Sequence, residues 1–288
     1  MKRVLLLGGS GQLGTAIAAS WSDFEVVAPA HEELAVENTH RLQETIARTH
    51  PDVVVNAAAF HDVDRCELEP DRAFEVNARA AGDAARAAAE NDAVFVTIST
   101  DYVFDGRKGA PYTEADAPNP LSVYGASRLA GERLVEASGA RALIVRTCGL
   151  YGRSRARVPR LTFVERIVRQ AADRTPVRVV ADVVASPTYA GDLADALRAL
   201  IETEADGLFH AAGAGAVSWY DFARAALAQA GVDAPIEPIA ADRWKAGAAR
   251  PRYSALENAK LREIGIAMRS WRDGLAAYLG ASIGDALR

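Results

Sequence analysis

The sequence predicts an α/β protein: a doubly wound parallel sheet with a smaller C-terminal lobe. Short apolar runs alternate with alanine-rich helical stretches through the first half. The runs lack the polar alternation of a sheet with one wet face, so they read as strands covered on both sides. A glycine-rich turn follows the first run and opens the first helix, and right-handed crossovers then wind the helices onto both faces.

Taken in order, the strands are expected at residues 4–7, 25–28, 53–56, 94–98 and 142–146. Helices are expected between them near 12–21, 39–49, 71–91 and 122–138. The alternation loosens after Tyr151. Two further strands are expected at 177–180 and 208–211, and helices at 160–173, 190–203, 218–230 and 270–279, with a short helix from about Ala255. The segment from Arg153 to Arg157 carries three arginines and reads as a solvated turn rather than a phosphate clamp. Residues 1–150 are expected to form a dinucleotide-binding domain. Residues 151–288 are expected to form the substrate lobe and to return strands and helices to the sheet.

Composition narrows the classes. With 288 residues the chain can bury a full core. Half of the residues are hydrophobic, a quarter are charged, and the net charge is −5. That balance predicts neither a nucleic-acid nor a membrane partner. No run reaches the length of a membrane span, and the N-terminal apolar run is too short for a signal segment. Cys66 and Cys148 are the two cysteines. They fit a reducing, cytoplasmic setting, although two thiols could also pair. Four of the 33 basic residues are lysine, leaving 29 arginines. The five histidines are scattered, and no metal-ligand spacing occurs.

The turn reads Gly8-Gly9-Ser10-Gly11-Gln12-Leu13-Gly14. Glycines at 8, 11 and 14 allow a tight turn, close approach of a pyrophosphate and close helix–strand packing. The helix N-terminus behind them suits an anion. Ser10, Gln12 and Leu13 belong to the same cradle. Asn56-Ala57-Ala58-Ala59 ends the third strand with residues small enough to lie against a cofactor. NADPH and NADH both remain open. The second strand ends in Ala28-Pro29-Ala30-His31-Glu32-Glu33, without an acid at the usual place for the ribose hydroxyls.

Reducing a ketone requires a hydride and a proton. A tyrosine beside a cation can give that proton, and a neighbouring hydroxyl can orient the carbonyl oxygen. Tyr124 and Arg128 stand one helical turn apart, and Thr100 ends the fourth strand. All three then meet at the carboxyl edge of the sheet, where ligands of open α/β sheets bind.

These elements resemble the extended short-chain dehydrogenase/reductases with their Rossmann-type fold, and among them the dTDP-4-dehydrorhamnose reductases. The likeness runs over nearly the whole chain. It includes Gly8-x-x-Gly11-x-x-Gly14, Asn56-Ala57-Ala58-Ala59 with Val63-Asp64 and Glu67, and Asn77. It continues through Ser99-Thr100-Asp101-Tyr102-Val103-Phe104-Asp105-Gly106, Tyr112-x-Glu114, Pro118-x-Pro120, Tyr124-Gly125 and Gly131-Glu132. Arg146-Thr147, Tyr151-Gly152, Ser186-Pro187-Thr188 and Arg250-Pro251 complete it.

The resemblance implies Thr100, Tyr124 and Arg128 as catalytic residues, with Tyr124 and Arg128 also holding the nicotinamide ribose and Arg128 lowering the tyrosine pKa. It implies substrate contacts at Thr100, Asp101, Tyr102, Val103, Tyr124, Gly149 and Arg250, and a nucleotide-linked 6-deoxysugar reduced at its 4-keto group. Arg146 is a candidate for a structural or phosphate contact. Trp219 and Tyr220 are candidates for stacking on a base or for plain packing. Several positions depart from the family pattern. Arg128 replaces a lysine; it keeps the charge but is planar, bulkier and holds its proton too tightly for a relay. Gly149 replaces a substrate-side tryptophan. Val183 replaces a glutamine, Thr162 an asparagine, and His61 and Ala35 stand at other altered positions. A second reading is a weakly catalytic, cofactor-binding partner protein, as in the regulatory β-subunit of methionine adenosyltransferase. A third is an epimerase or dehydratase of the same superfamily. The same scaffold leaves a homodimer or a partner protein open.

Overall fold

The computed structural model describes residues 1–157, 161–243 and 246–286. The start of the helix expected from residue 160 lies outside them. The first-half strands are β1 (Arg3–Leu7), β2 (Glu25–Val27), β3 (Val53–Asn56), β4 (Val94–Thr100) and β5 (Ala142–Thr147). The second half adds β6 (Leu150–Tyr151), β7 (Val177–Val180), β8 (Val184–Ala185), β9 (Thr188–Tyr189), β10 (Gly207–His210), β11 (Val217–Ser218) and β12 (Ile236–Ile239). Six of them form the main sheet in the order β2-β1-β3-β4-β5-β10, every pair parallel.

Both faces of this sheet are covered, which is why its strands read as unbroken apolar runs. Val4, Leu6, Val53, Val55 and Val145 face one cluster with α1 (Gln12–Ser20) and α8 (Ala190–Glu202). Leu5, Leu7, Val54, Phe95 and Ile144 face the other, with α2 (Thr39–Thr49), α5 (Ala80–Glu90) and Val135 of α6 (Val123–Glu136). Successive strand residues thus divide between the two layers, as the pleat requires. Alanines 80, 81, 84, 85, 87 and 88 let α5 sit close to the sheet.

Several expectations need correction. The helix expected over 71–91 is a series, α4 (Pro70–Phe74), a π-helical turn (Glu75–Arg79) and α5, and an unexpected short helix, α3 (Val63–Leu68), precedes it. The wide turn places Asn77, 1% exposed, for the contacts described below. Strand β4 runs two residues further than expected, to Thr100. Strand β7 does not join the main sheet but pairs in parallel with β12, Val177 opposite Ile236. The helix expected from Ala255 begins later, as α10 (Ala259–Glu263). Helices α7 (Phe163–Ala172), α9 (Trp219–Gln229) and α11 (Trp271–Ala286) complete the second half. The departure to threonine at 162 is absorbed by a capping box: Thr162 Oγ1 accepts from Glu165 N–H at 3.1 Å, and Glu165 accepts from Thr162 N–H at 2.7 Å.

Beneath the sheet's carboxyl edge lies a buried ion pair. Glu132 of α6 accepts two bonds from Arg146 of β5, at 2.9 and 2.7 Å, and a third from Ser99 of β4 at 2.5 Å. Arg146 also lies 5.1 Å from the Phe104 ring centroid. Both charged side chains are 2% exposed. Arg146 is therefore a structural residue and not a phosphate contact. Removing one partner leaves an uncompensated buried charge. Glu132→Ala is expected to lower the free energy of unfolding by about 3–5 kcal/mol in denaturant titration. Glu132→Met combined with Arg146→Met is expected to cost clearly less than the two single substitutions added together.

Candidate active site

The chain adds β2 on one side of β1 and β3 on the other, so a crevice opens beyond the carboxyl ends of β1 and β3. A cleft of about 640 Å³ occupies it. The glycine turn forms one wall. Gly8 has φ +79°, and a Cβ there would stand 2.7 Å from the Ala58 nitrogen, so only glycine lets the turn and the β3 loop touch. Gly8, Ser10, Gly11, Gln12, Leu13 and Gly14 all line the cleft, as do Ala57, Ala58 and Ala59. Gly11 caps α1 without a side chain over the helix end, which leaves the first N–H groups available to an anion.

The expected catalytic residues come together. Thr100, Tyr124 and Arg128 line this same cleft, with Asp101, Tyr102 and Gly149. Helix α6 delivers Tyr124 because its N-terminus is fixed from two sides. Ser122 caps it, accepting from Gly125 N–H at 3.2 Å, and Glu67 of α3 accepts from Val123 N–H at 2.8 Å. A Cβ at Gly125 would collide with the Tyr102 carbonyl oxygen, so glycine lets the helix seat against that loop. Asn77 ties this helix to the cofactor wall. It donates to Ser127 Oγ and to the Phe60 carbonyl, each at 3.0 Å, and accepts from Phe60 N–H at 2.8 Å. Ser127 in turn donates to the Tyr124 carbonyl at 2.8 Å. Sequence matching marked Asn77 without a role; contacts across 17 and 50 residues of chain supply it.

Arg128 is 6% exposed, and its Nε and Nη1 have no hydrogen-bond partner. A buried guanidinium with free N–H groups is costly unless an acceptor arrives. Arg128 lines the cleft, and a guanidinium there can donate to the ribose hydroxyls of a nicotinamide cofactor, so the residues present fit that group. Burial pushes the Tyr124 phenol above its usual pKa, while the Arg128 charge and the Thr100 hydroxyl oppose the rise. The Arg128 charge thus acts on the tyrosine in the expected direction, while desolvation outweighs it in the net shift. The Tyr102 and Tyr124 rings meet edge to face, centroids 5.7 Å apart.

Asp101 is committed to the fold. Its carboxylate accepts from Ser254 Oγ at 2.5 Å and from Thr100 Oγ1 at 3.2 Å. Burial pushes its pKa up to about 6 against those bonds. Val103 does not reach the cleft: its side chain is fully buried against Phe104, Tyr112 and Leu256. Arg250 is likewise not among the lining residues. Asp64 holds its guanidinium by two bonds, at 3.1 and 3.0 Å, and is itself held below the usual carboxylate range. Trp219 is half-buried and packs at a tilt against Phe163, centroids 4.7 Å apart, and its ring edge lies over Gly149, where a Cβ would stand 2.9 Å away.

The basic loop keeps its three arginines exposed, as a solvated turn would, but it is also anchored to the glycine turn. Arg155 N–H donates to the Ser10 carbonyl at 2.9 Å, Ser154 Oγ donates to the same oxygen at 3.0 Å, and Arg153 donates to the Ala281 carbonyl. Ser154 and Ala156 line the cleft beside the glycine turn. The contact with Ser10 across 144 residues could not be read from spacing. His31 and His61 also line the cleft. Cys66 and Cys148 are buried free thiols. Among the described residues there is no metal-binding group of three or more ligands, and no helix is long and apolar enough to cross a membrane.

The family model described as RmlD substrate binding domain matches residues 1–283. The chain is 34% identical over 281 residues to the spore coat polysaccharide biosynthesis protein SpsK of Bacillus subtilis, covering 97% of each. It is 36% identical over 294 residues to the dTDP-4-dehydrorhamnose reductase of Aggregatibacter actinomycetemcomitans, covering 96% of this chain and 97% of that protein. The solved dTDP-4-dehydrorhamnose reductase of Bacillus anthracis in complex with NADP superposes with a TM-score of 0.93 at 33% identity, over 98% of this chain and 99% of that one. Likeness to UDP-glucose 4-epimerase of Thermus thermophilus, at 20% identity and a TM-score of 0.81, speaks to the fold alone. A buried cation with free donors, a tyrosine and a threonine at the sheet's switch point are thus set in a chain that belongs to the RmlD substrate binding domain family.

Proposed function

We propose that this chain is an NAD(P)H-dependent oxidoreductase that reduces the 4-keto group of a nucleotide-linked 6-deoxysugar. The observation that carries the reading is Arg128, buried with unpartnered N–H groups in the cleft that also holds Tyr124 and Thr100. The reductase names of the relatives support the substrate class.

A bound nicotinamide supplies the hydride that reduces the carbonyl carbon. Every other requirement falls to the chain. Tyr124 gives its phenol proton to the carbonyl oxygen, so the ketone leaves as an alcohol. Thr100 orients that oxygen by turning its single hydroxyl hydrogen from Asp101, 3.2 Å away, to the substrate, while it still accepts from Tyr102 N–H at 3.2 Å. Arg128 holds the ribose hydroxyls and balances the charge left on Tyr124 until solvent restores the proton. Residues 1–150 carry the cofactor and residues 151–288 build the substrate lobe. The two buried free thiols suit a reducing, cytoplasmic compartment.

In single-turnover oxidation of NADPH with a 4-keto-6-deoxysugar nucleotide, Tyr124→Phe is expected to cut the rate by about 10³-fold, the usual scale of a lost general acid. Cofactor affinity should stay within about twofold, since the phenol hydroxyl is a small part of that contact. An unchanged rate would remove Tyr124 from the mechanism. Arg128→Met should weaken NADPH binding and cut kcat/KM by at least about 10²-fold, whereas Arg128→Lys should keep most of the binding. Tight binding without turnover in the wild type would favour a partner protein instead.

Stability should also carry the mark of Asp101. Its pKa rises from 3.8 to about 6 on folding, so the folded state binds more protons between those values. Stability attributable to this residue therefore falls as pH rises from about 4 to about 6, by on the order of 3 kcal/mol. Denaturant titrations should show that slope in the wild type and its loss in Asp101→Asn.

A further inference from the structure

Three side-chain donors converge on one carboxylate in the wall of the cleft. Asp101 follows β4, is 3% exposed and is among the lining residues. Its Oδ2 accepts from Ser254 Oγ at 2.5 Å, and its Oδ1 lies 3.2 Å from Thr100 Oγ1. The Cys148 thiol, just past β5, also donates to Asp101, while its sulfur accepts from Ser186 N–H at 3.3 Å. Thr100 Oγ1 accepts in turn from Tyr102 N–H at 3.2 Å.

A hydroxyl has one hydrogen to give. While Asp101 is a carboxylate, that hydrogen of Thr100 goes to it, because an ionised acceptor makes the stronger bond. A ketone in the cleft then meets only the oxygen lone pairs of Thr100. Once Asp101 takes a proton from solvent in the cleft, the bond reverses. The acid O–H donates to Thr100 Oγ1, and the Thr100 hydrogen turns to the carbonyl oxygen. No other bond is made or broken. The surroundings favour this exchange. Burial pushes the Asp101 pKa up to about 6 against its hydrogen bonds. Facing it are the Cys148 thiol and the Tyr102 and Tyr124 phenols, all raised above their usual pKa, first by burial. Arg250 acts on Tyr102 and Arg128 on Tyr124, and a guanidinium keeps its charge throughout this range. These neighbours hold their protons where Asp101 exchanges its own.

We propose that Asp101 is a positioning residue for the reduction: as the neutral acid it turns the Thr100 hydroxyl hydrogen to the substrate carbonyl, and as the carboxylate it takes that hydrogen back. The assignment rests on the proposed function. Asp101 acts through Thr100 and touches none of the reacting atoms.

The test is the pH profile of single-turnover NADPH oxidation on the full chain, with cofactor and 4-keto-6-deoxysugar nucleotide both saturating. The wild type should be about tenfold faster at about pH 5 than at about pH 8, the scale of one hydrogen bond to the reacting oxygen. Asp101→Asn holds an amide N–H against Thr100 at every pH, so the ratio of the two rates should fall to within about twofold of one. Thr100→Val has no hydrogen to redirect, so its ratio should fall to within about twofold of one as well, and adding Asp101→Asn to it should leave its rate unchanged within that margin. His31 and His61 also line the cleft and remain in both variants, so a slope of their making would survive. Should Asp101→Asn fail to unfold cooperatively in denaturant, Thr100→Val decides alone. A wild-type rate equal at the two pH values, or a slope that survives in either folded variant, would overturn the assignment while the reductase reading stands. No turnover at either pH would overturn both.

Discussion

The contact between Glu132 and Arg146 holds the catalytic edge of this protein together. Helix α6 brings Tyr124 and Arg128, β4 brings Thr100, and β5 continues toward Gly149. One carboxylate, 2% exposed, bonds to Ser99 of β4 and twice to Arg146 of β5. In that low-dielectric setting neither charge tolerates separation. The arrangement sets the spacing of the two hydroxyls through the secondary-structure elements that carry them, and no flexible loop stands between. A reaction that loses about 10²-fold for a displacement of about 1 Å needs such a foundation.

The site has two further supports, each linking chain distant in sequence. Asn77 fastens the loop after β3 to helix α6. Asp101 fastens the residue after Thr100 to Ser254, 153 positions away. Between them they hold the cofactor wall, the tyrosine helix and the threonine strand at fixed positions. Among the unsatisfied groups of this region, with Arg146 Nη1 and Thr147 Oγ1, are Nε and Nη1 of Arg128. The fold carries that cost where a ligand would relieve it. The departure from lysine to arginine is therefore compatible with the scaffold: the guanidinium fits in the buried space and presents more donors than an ammonium in a fixed plane.

The first half of the fold was legible because its signals are local. Strands β1 and β3 announce themselves as apolar runs, and α2 was readable to its ends, since Asn38 caps it and His50 ends it with φ +45°. The π-turn at Glu75–Arg79 was not legible, because alanine and charged residues favour one continuous helix over that stretch. Only the contact of Asn77 with Phe60 and Ser127 makes the interruption worthwhile. In the second half, β8, β9 and β11 are two residues long, too short for any periodicity to show. Strand β7 was readable, but its partner β12 was not, since pairing is a property of two segments.

The sequence by itself determined the fold class, the glycine turn and the run of small residues after β3, and it brought forward Thr100, Tyr124 and Arg128 as candidates that the fold gathers in one cleft. Each depends on residue type within one short segment or on a match to a known pattern. The tertiary structure alone decided which residues have free donors and which are committed. Arg250 is taken by Asp64, Arg146 by Glu132, Asp101 by Ser254 and Glu33 by its own turn, while His31 and Arg128 are left facing the cleft. A charged side chain has the same letter in either role. What separates the roles is the partner that burial brings within hydrogen-bond reach, and no spacing along the chain records that.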